Sequence, residues 1–353
     1  MLPLDSPTAT TVALTEPPRV SGHRRPRIVA LGGGTGLPQL LRGLKRAYFG
    51  TAPAGDLMAD RDLLTAIVTV TDDGGSSGRL RQQFQGFPPG DIRNCLLALA
   101  DADSRVSAIF DFRFPGTSDV GGHSLGNLIL TALGVIEDDF HAGVQHGAAL
   151  LGVRGKVLPA TLGPVTLNAE LDDGCSVQGE SAIAGDARLI RHLTLNPANT
   201  HAPAAAMRAI EEADLVVLAP GSLYTSLIAV LLVKDIADTL ARARVPTILV
   251  MNLMTQPGET DGYTAADHVV AIRKHAPAVR IRDILLHPQP LPLNIARDYA
   301  SRGSKPVSLD RRLLTALGYR TVERDLLGAG PKIRHDPDKL AKAIIECAKE
   351  PLV

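Results

Sequence analysis

Five short apolar runs rich in β-branched residues punctuate the chain: residues 27–31 (RIVAL), 63–70 (LLTAIVTV), 214–219 (DLVVLA), 245–251 (VPTILVM) and 279–286. They carry almost no apolar–polar alternation, which predicts strands buried on both faces, as in a parallel sheet. Between them, apolar residues return at helical spacing over 37–44, 92–100, 125–133, 135–151, 263–274 and 336–349. Alternating buried strands and helices argue an α/β fold whose mainly parallel sheet is covered on both faces. Residues 157–195 break the rhythm with alternating residues and turn signals, so a β-rich insertion is expected at about 155–196 within a single domain over 27–353. No unit of roughly 20–50 residues repeats, which excludes solenoids and propellers. Asp336 followed by Pro337 marks the start of the last helix.

Four of the turns at strand ends are rich in Gly or Asn: 32–36, 71–78, 220–222 and 252–258, the last opening on Asn252. Right-handed crossovers bring parallel strand ends to one edge, and open α/β sheets bind ligands there. Gly33, Gly34, Thr35 and Gly36 lie between a strand and a helix whose N-terminus favours phosphate. The dinucleotide pattern GxGxxG fails at Leu37, so this turn is either a phosphate cradle or a plain βα turn. A diphosphate spanning residues 33–36 and the Gly221 and Ser222 turn is the natural inference. Alternatively, Ser222 only caps its helix.

The densest stretch is TDDGGSSGRLR at 71–81. Asp72 and Asp73 are adjacent on an extended strand end, so their side chains diverge. One, taken to be Asp73, faces a ribose diol, a base edge or Mg²⁺, while the other caps the following helix; both as caps is the alternative. Gly75 allows close backbone approach, Ser76 adds a hydroxyl, and Arg79 offers a fork suited to phosphate unless it belongs to a solvated helix face. Arg93 and Asn94 follow Asp91, the expected cap of the 92–100 helix, and either face the pocket or are solvated. Gly126 costs its helix ~1 kcal/mol relative to Ala, which points to close packing or to a ligand near the backbone at Asn127. His123 at the same helix mouth is read as a ligand contact, with a structural hydrogen-bond partner as the alternative.

With 37 basic and 37 acidic residues the net charge is zero, and aromatics are 3% with no Trp, which argues against nucleic acid as a partner. Three dispersed cysteines without a CxxC form neither a disulfide framework nor a zinc site. No apolar run reaches the ~18–20 residues of a membrane span. Residues 1–26 lack a signal-peptide pattern and are expected to be a disordered tail, so a cytoplasmic protein is expected. There is no Walker A, GxSxG or HExxH motif, and no residue is selected as catalytic.

The segments GGGTGLPQLLRGLK (32–45), TAIVTVTDDGGSSGRLR (65–81), PPGDIRNCLLALAD (88–101), GGHSLGNLIL (121–130), ADLVVLAPGSLYTSLI (213–228), MNLMTQPGETDGYTAADHV (251–269) and IRHDPDKLA (333–341) carry a resemblance to a known family. The sequence resembles the YvcK-type gluconeogenesis factors, a branch of the CofD-like superfamily. This resemblance implies a Rossmann-like three-layer α/β/α fold and binding of UDP-sugars, notably UDP-N-acetylglucosamine, with no cofactor required. It also implies a role in cell shape and peptidoglycan precursor supply on gluconeogenic carbon, and leaves open a homodimer and a cell-wall regulatory protein as partners. Thr35 and Arg334 are the nucleotide-sugar contacts it suggests. Some relatives carry a phosphorylatable Thr after R-H-D, where this chain has Pro337. The sister branch transfers phospholactate to a deazaflavin using Mg²⁺ and aspartates, which would be Asp72 and Asp73 here. That branch has D-x-D where this chain reads Gly90-Asp91-Ile92-Arg93, which argues against the transferase.

Overall fold

The computed structural model describes residues 25–50 and 61–350. The expected disordered tail up to residue 24, and most of the polar segment after Phe49, lie outside the described residues. Arg25 and Pro26 are held against Tyr48: the Arg25 guanidinium donates to the Tyr48 carbonyl, and the Tyr48 hydroxyl to the Pro26 carbonyl, both at 2.6 Å.

The strands are β1 (Ile28–Gly32), β2 (Leu64–Val68), β3 (Lys156–Pro159), β4 (Thr166–Leu171), β5 (Ser176–Gln178), β6 (Ile190–Asn196), β7 (Leu215–Leu218), β8 (Thr247–Val250), β9 (Asp283–Leu286) and β10 (Arg320–Glu323). Seven form one parallel sheet in the order β10-β9-β8-β7-β1-β2-β3, and the other three form an antiparallel sheet, β5-β4-β6. All five strands expected from the apolar runs are present, and β1, β2, β7, β8 and β9 are buried along their whole lengths. With helices on both faces, this is a Rossmann-like α/β fold carrying a small antiparallel sheet.

Two strands depart from the sequence reading. Lys156–Pro159, read as the start of the antiparallel texture, instead pairs with β2 and forms an edge of the parallel sheet. Arg320–Glu323 was not recognised as a strand; its pattern is mostly polar because it forms the opposite edge.

Helices follow the strands: α1 (Gly36–Phe49), α2 (Gly75–Phe84), α3 (Gly90–Leu99), α4 (Arg105–Asp111), α5 (Leu125–Ile136), α6 (Phe140–Leu150) and, inside the insertion, α7 (Glu180–Ala184). In α1, Leu37, Leu40, Leu41 and Leu44 stand at i, i+3, i+4 and i+7 and are fully buried, so one apolar stripe seats the helix on the sheet. It packs against α3 and the C-terminal helix Pro337–Lys349. Asp336 caps that last helix as expected, its carboxylate accepting the N–H groups of Asp338 and Lys339 at 2.9 Å. Asp336→Ala should therefore cost about 1 kcal/mol of stability in urea unfolding, the usual worth of an N-cap. No helix among the described residues is long and apolar enough to cross a membrane.

The strand order fixes where a ligand can enter. From β1 the chain builds outward through β2 and β3, then returns to add β7, β8, β9 and β10 on the other side of β1. The chain turns reverse between β1 and β7, and their C-terminal ends open a crevice at this switch point.

Candidate functional site at the switch point

The β1 and β7 turns meet in the crevice. A Cβ at Gly36 would lie 1.9 Å from the Pro220 carbonyl oxygen, and one at Gly221 would lie 3.4 Å from the Gly33 carbonyl oxygen. Only glycine at position 36 lets the two turns touch. Thr35 precedes α1, is exposed, and makes no side-chain capping bond, so its hydroxyl is free at the helix N-terminus. The β7 turn is braced from outside the crevice. Asn252 accepts from the Gly221 N–H at 3.0 Å and donates to the Gly221 carbonyl at 2.7 Å. Ser222 donates its hydroxyl to Gln256 at 2.9 Å. Asn252 thus sets the shape of the turn, and Ser222 makes no side-chain capping bond. The six residues Leu223–Ile228 wind as a π-helix, an arrangement frequent at functional sites. Its first N–H groups are received by buried Glu259, which accepts from Tyr224 N at 3.1 Å and from the Thr225 hydroxyl at 2.8 Å.

The other wall is acidic. Asp91 reaches across from α3 and accepts the Gly34 N–H at 2.7 Å, while a Cβ at Gly33 would lie 2.6 Å from the same carboxylate oxygen. One of the cradle's donors is therefore already held by a carboxylate. Asp72 accepts the Gly74 N–H at 2.9 Å and lies close to Gly90 at the mouth of α3. Asp73 turns the other way: it accepts the Ser181 N–H at 2.8 Å and abuts Gly179, so it caps α7. The divergence expected of the pair is present: Asp72 holds Gly74, the N-cap of α2, beside Asp91, as expected of one of the two, while Asp73 fastens the insertion. Arg81 adds a second fastening, its guanidinium donating to the Val165 carbonyl and the Thr166 hydroxyl, both at 2.6 Å. The insertion also packs on the π-helix, and His275 accepts the Leu193 N–H at 3.0 Å.

Burial, aided by neighbouring carboxylates, raises the proton affinities of Asp91 and Glu180. Burial, opposed by the Gly34 N–H and reinforced by the Asp72 charge, pushes the Asp91 carboxyl up to about 6. Burial and the charges of Asp72, Asp91, Glu259 and Asp73 push Glu180 up to about 9. Both values stand above those of the unfolded chain, so the folded state holds protons that the unfolded state has released. Stability from these groups is present below about pH 4 and is lost as pH rises towards 6 for Asp91 and towards 9 for Glu180. The melting temperature should therefore fall between pH 6 and 9, and Glu180→Gln should flatten that slope; an unchanged slope would remove Glu180 from the cluster.

A third group forms on α2 and α5. The Ser76 hydroxyl oxygen lies 3.0 Å from His123 Nδ1, 3.1 Å from Asn127 Nδ2 and 3.4 Å from Ser124 N. Gly126 is where α5 packs closest: a Cβ there would lie 2.4 Å from the Phe110 carbonyl oxygen and 2.9 Å from Arg93 Cδ. Close packing thus accounts for this glycine. Arg93 is buried and donates to the Asn94 side chain at 2.7 Å. Arg79 is exposed and donates to the Gly121 carbonyl at 2.7 Å. Gly75, at φ 47°, starts α2 with open space where a side chain would sit.

Arg334 stands apart from the glycine turns. It is exposed and makes no side-chain hydrogen bond or ion pair among the described residues. Its neighbour His335 is half-buried and hydrogen-bonded to the Met251 backbone, which keeps the segment on the same sheet edge, beyond β8. Beside it, a cleft of about 250 Å³ is lined by residues including Asn252, Leu253, His287 and Pro306. Sequence reasoning missed Asp91 as a partner of the glycine turn, as well as Glu180 and Glu259; none carries a local motif. Among the described residues, no three His, Cys, Asp or Glu side chains gather in a metal-binding arrangement.

Comparisons with known proteins agree on what this architecture is. Residues 28–327 match the family described as 2-phospho-L-lactate transferase CofD. A putative gluconeogenesis factor from Nostoc sp. is 48% identical over 92% of this chain and 69% of its own length. The gluconeogenesis factor of Bacillus subtilis is 42% identical over 93% of this chain and 99% of its own. The crystal structure of a UPF0052-family protein from Bacillus halodurans, 40% identical, superposes with a TM-score of 0.85 over 92% of this chain and 100% of that one. The chain belongs to the CofD-like family and, within it, to the gluconeogenesis factors.

Proposed function

We propose that this protein is a nucleotide-sugar-binding regulator whose ligand is UDP-N-acetylglucosamine or a related UDP-sugar. In this reading it supports cell shape and peptidoglycan precursor supply during growth on gluconeogenic carbon, as a cytoplasmic protein. The observation that carries the reading is the meeting of the β1 and β7 turns at the switch point, with Thr35 uncommitted at the N-terminus of α1. A diphosphate there gains the helix dipole and the free N–H groups of the first turn. The carboxylates of Asp72 and Asp91 suit the hydroxyls of a ribose or sugar, which donate to them. Arg334 then approaches the ligand from the β8 side. Ligand-induced stabilisation tests this: UDP-N-acetylglucosamine at ~100 times its Kd adds ~2.7 kcal/mol. A melting temperature unmoved by any UDP-sugar would refute the reading.

A transferase is the second reading, favoured by the family match and by Asp72 and Asp91 crowding one wall. The neighbouring carboxylates of Asp72 and Asp91 offer oxygen ligands of the kind a divalent ion takes, and Mg²⁺ held there would neutralise a diphosphate. Asp73, committed to α7, is not placed to share in it. The same thermal assay with GDP, with and without Mg²⁺, and turnover of a deazaflavin acceptor separate the two readings.

A further inference from the structure

Three guanidinium groups converge on the turn before α5 without a carboxylate to pair with. Arg79 donates to the Gly121 carbonyl at 2.7 Å and Arg113 to the Gly122 carbonyl at 2.6 Å. Arg93 is only 7% exposed, and its Nε is enclosed without a hydrogen-bond partner. Asp111, Asp91 and Asp72 act on Arg93 through space, but none of the three arginines forms an ion pair among the described residues. Three like charges around one turn repel one another, and the enclosed Nε of Arg93, left unpartnered while the guanidinium's other end donates to Asn94, is costly. An arriving anion relieves both.

The neighbouring polar groups are arranged as donors. Ser76 Oγ receives Asn127 Nδ2 and the Ser124 N–H, so its own proton goes to His123 Nδ1. The His123 proton is thereby left on Nε2, as a donor. Burial and the charges of Arg79 and Arg113 lower the proton affinity of the ring below the usual histidine range. Ser124 occupies the N-cap of the 12-residue helix α5 without capping it, because its hydroxyl donates to the Phe110 carbonyl at 3.2 Å. Asn127, 2% exposed, keeps Oδ1 enclosed and unpartnered, an acceptor suited to a ligand hydroxyl. Arg93 runs along the first turn of α5 beside Gly126.

We propose that the mouth of α5, with Arg79, Arg93, Arg113 and His123 around it, is a second anion subsite that takes a phosphate or carboxylate group. It lies on the α2 side of Asp72 and Asp91, whereas the glycine turn lies on the β1 side of Asp91. Its occupant is therefore a separate acidic molecule, or an acidic group distant from the diphosphate. This proposal goes beyond the UDP-sugar reading and does not depend on it.

Inorganic phosphate is the first probe and acetate the second, each compared with chloride at matched ionic strength on the whole protein. Phosphate or acetate should raise the melting temperature, and whichever shifts it more identifies the class of anion. Arg79→Ala and Arg113→Ala, both at exposed positions, should each weaken anion affinity about tenfold, as expected for a lost charge-assisted hydrogen bond. Hydrogen exchange should slow across residues 121–128. No shift with either anion, unchanged affinity in both variants, or slowing confined to residues 33–37 would overturn the proposal.

Discussion

Gly36→Ala should lower the melting temperature by roughly 3–5 °C and abolish UDP-sugar binding. The added methyl would lie 1.9 Å from the Pro220 carbonyl oxygen, well inside contact distance, and that oxygen belongs to backbone rather than to a side chain that can swing away. Its φ is not in the left-handed region, so the effect is steric, and Ala at this position even gains up to ~1 kcal/mol of helix propensity. Overpacking of this kind costs about 3 kcal/mol and so outweighs the gain; at about 1.5 °C per kcal/mol for a domain of this size it gives the stated shift. The crevice must widen to admit the methyl, and the two turns then no longer face one ligand. Gly50→Ala is the control. It sits at φ 64° with nothing within 4 Å, so strain alone acts, costing ~1 kcal/mol and leaving binding intact. Equal losses in the two variants, by calorimetry, would show that contact between the turns is unimportant.

Thr35→Ala should do the opposite: leave stability unchanged and weaken UDP-N-acetylglucosamine about thirtyfold. Thr35 is exposed and its hydroxyl caps nothing, so its removal leaves no buried group unsatisfied. A lost hydrogen bond to a charged phosphate is worth ~2 kcal/mol, which corresponds to roughly that factor. Arg334→Ala should likewise spare stability, because no contact among the described residues depends on its side chain. Isothermal titration of both variants checks this, and unchanged affinity in both would move the ligand elsewhere.

Local pattern carried most of the fold. Four leucines at helical spacing define α1, five apolar runs define strands, and the Asp336-Pro337 pair marks the last helix start. Edge strands were the weak point. β10 is largely polar because one of its flanks pairs with nothing, and β3 is short enough to merge with the antiparallel texture that follows. The four turns were legible because strand ends must converge, whatever the sequence between them. What each side chain does inside that edge was not. Asp91 reaches Gly34 across 57 positions, Asp73 reaches Ser181 across 108, and Ser76 meets His123 across 47. Nothing local distinguishes a carboxylate that caps a distant helix from one that faces a ligand. Adjacent Asp72 and Asp73 could be read as diverging, but the insertion decided which faced where. Asn252 was legible as part of a converging turn, but its clamp on both the N–H and the carbonyl of Gly221, 31 positions away, was not.

The central claim is a location: a nucleotide sugar lies between the ends of β1 and β7. Hydrogen exchange followed by mass spectrometry, with and without saturating UDP-N-acetylglucosamine, tests it most directly. The account predicts slowed exchange in both residues 33–38 and residues 220–226, with the outer edge at β10 unchanged. Exchange unaffected in these two segments, or slowed only elsewhere, would contradict it.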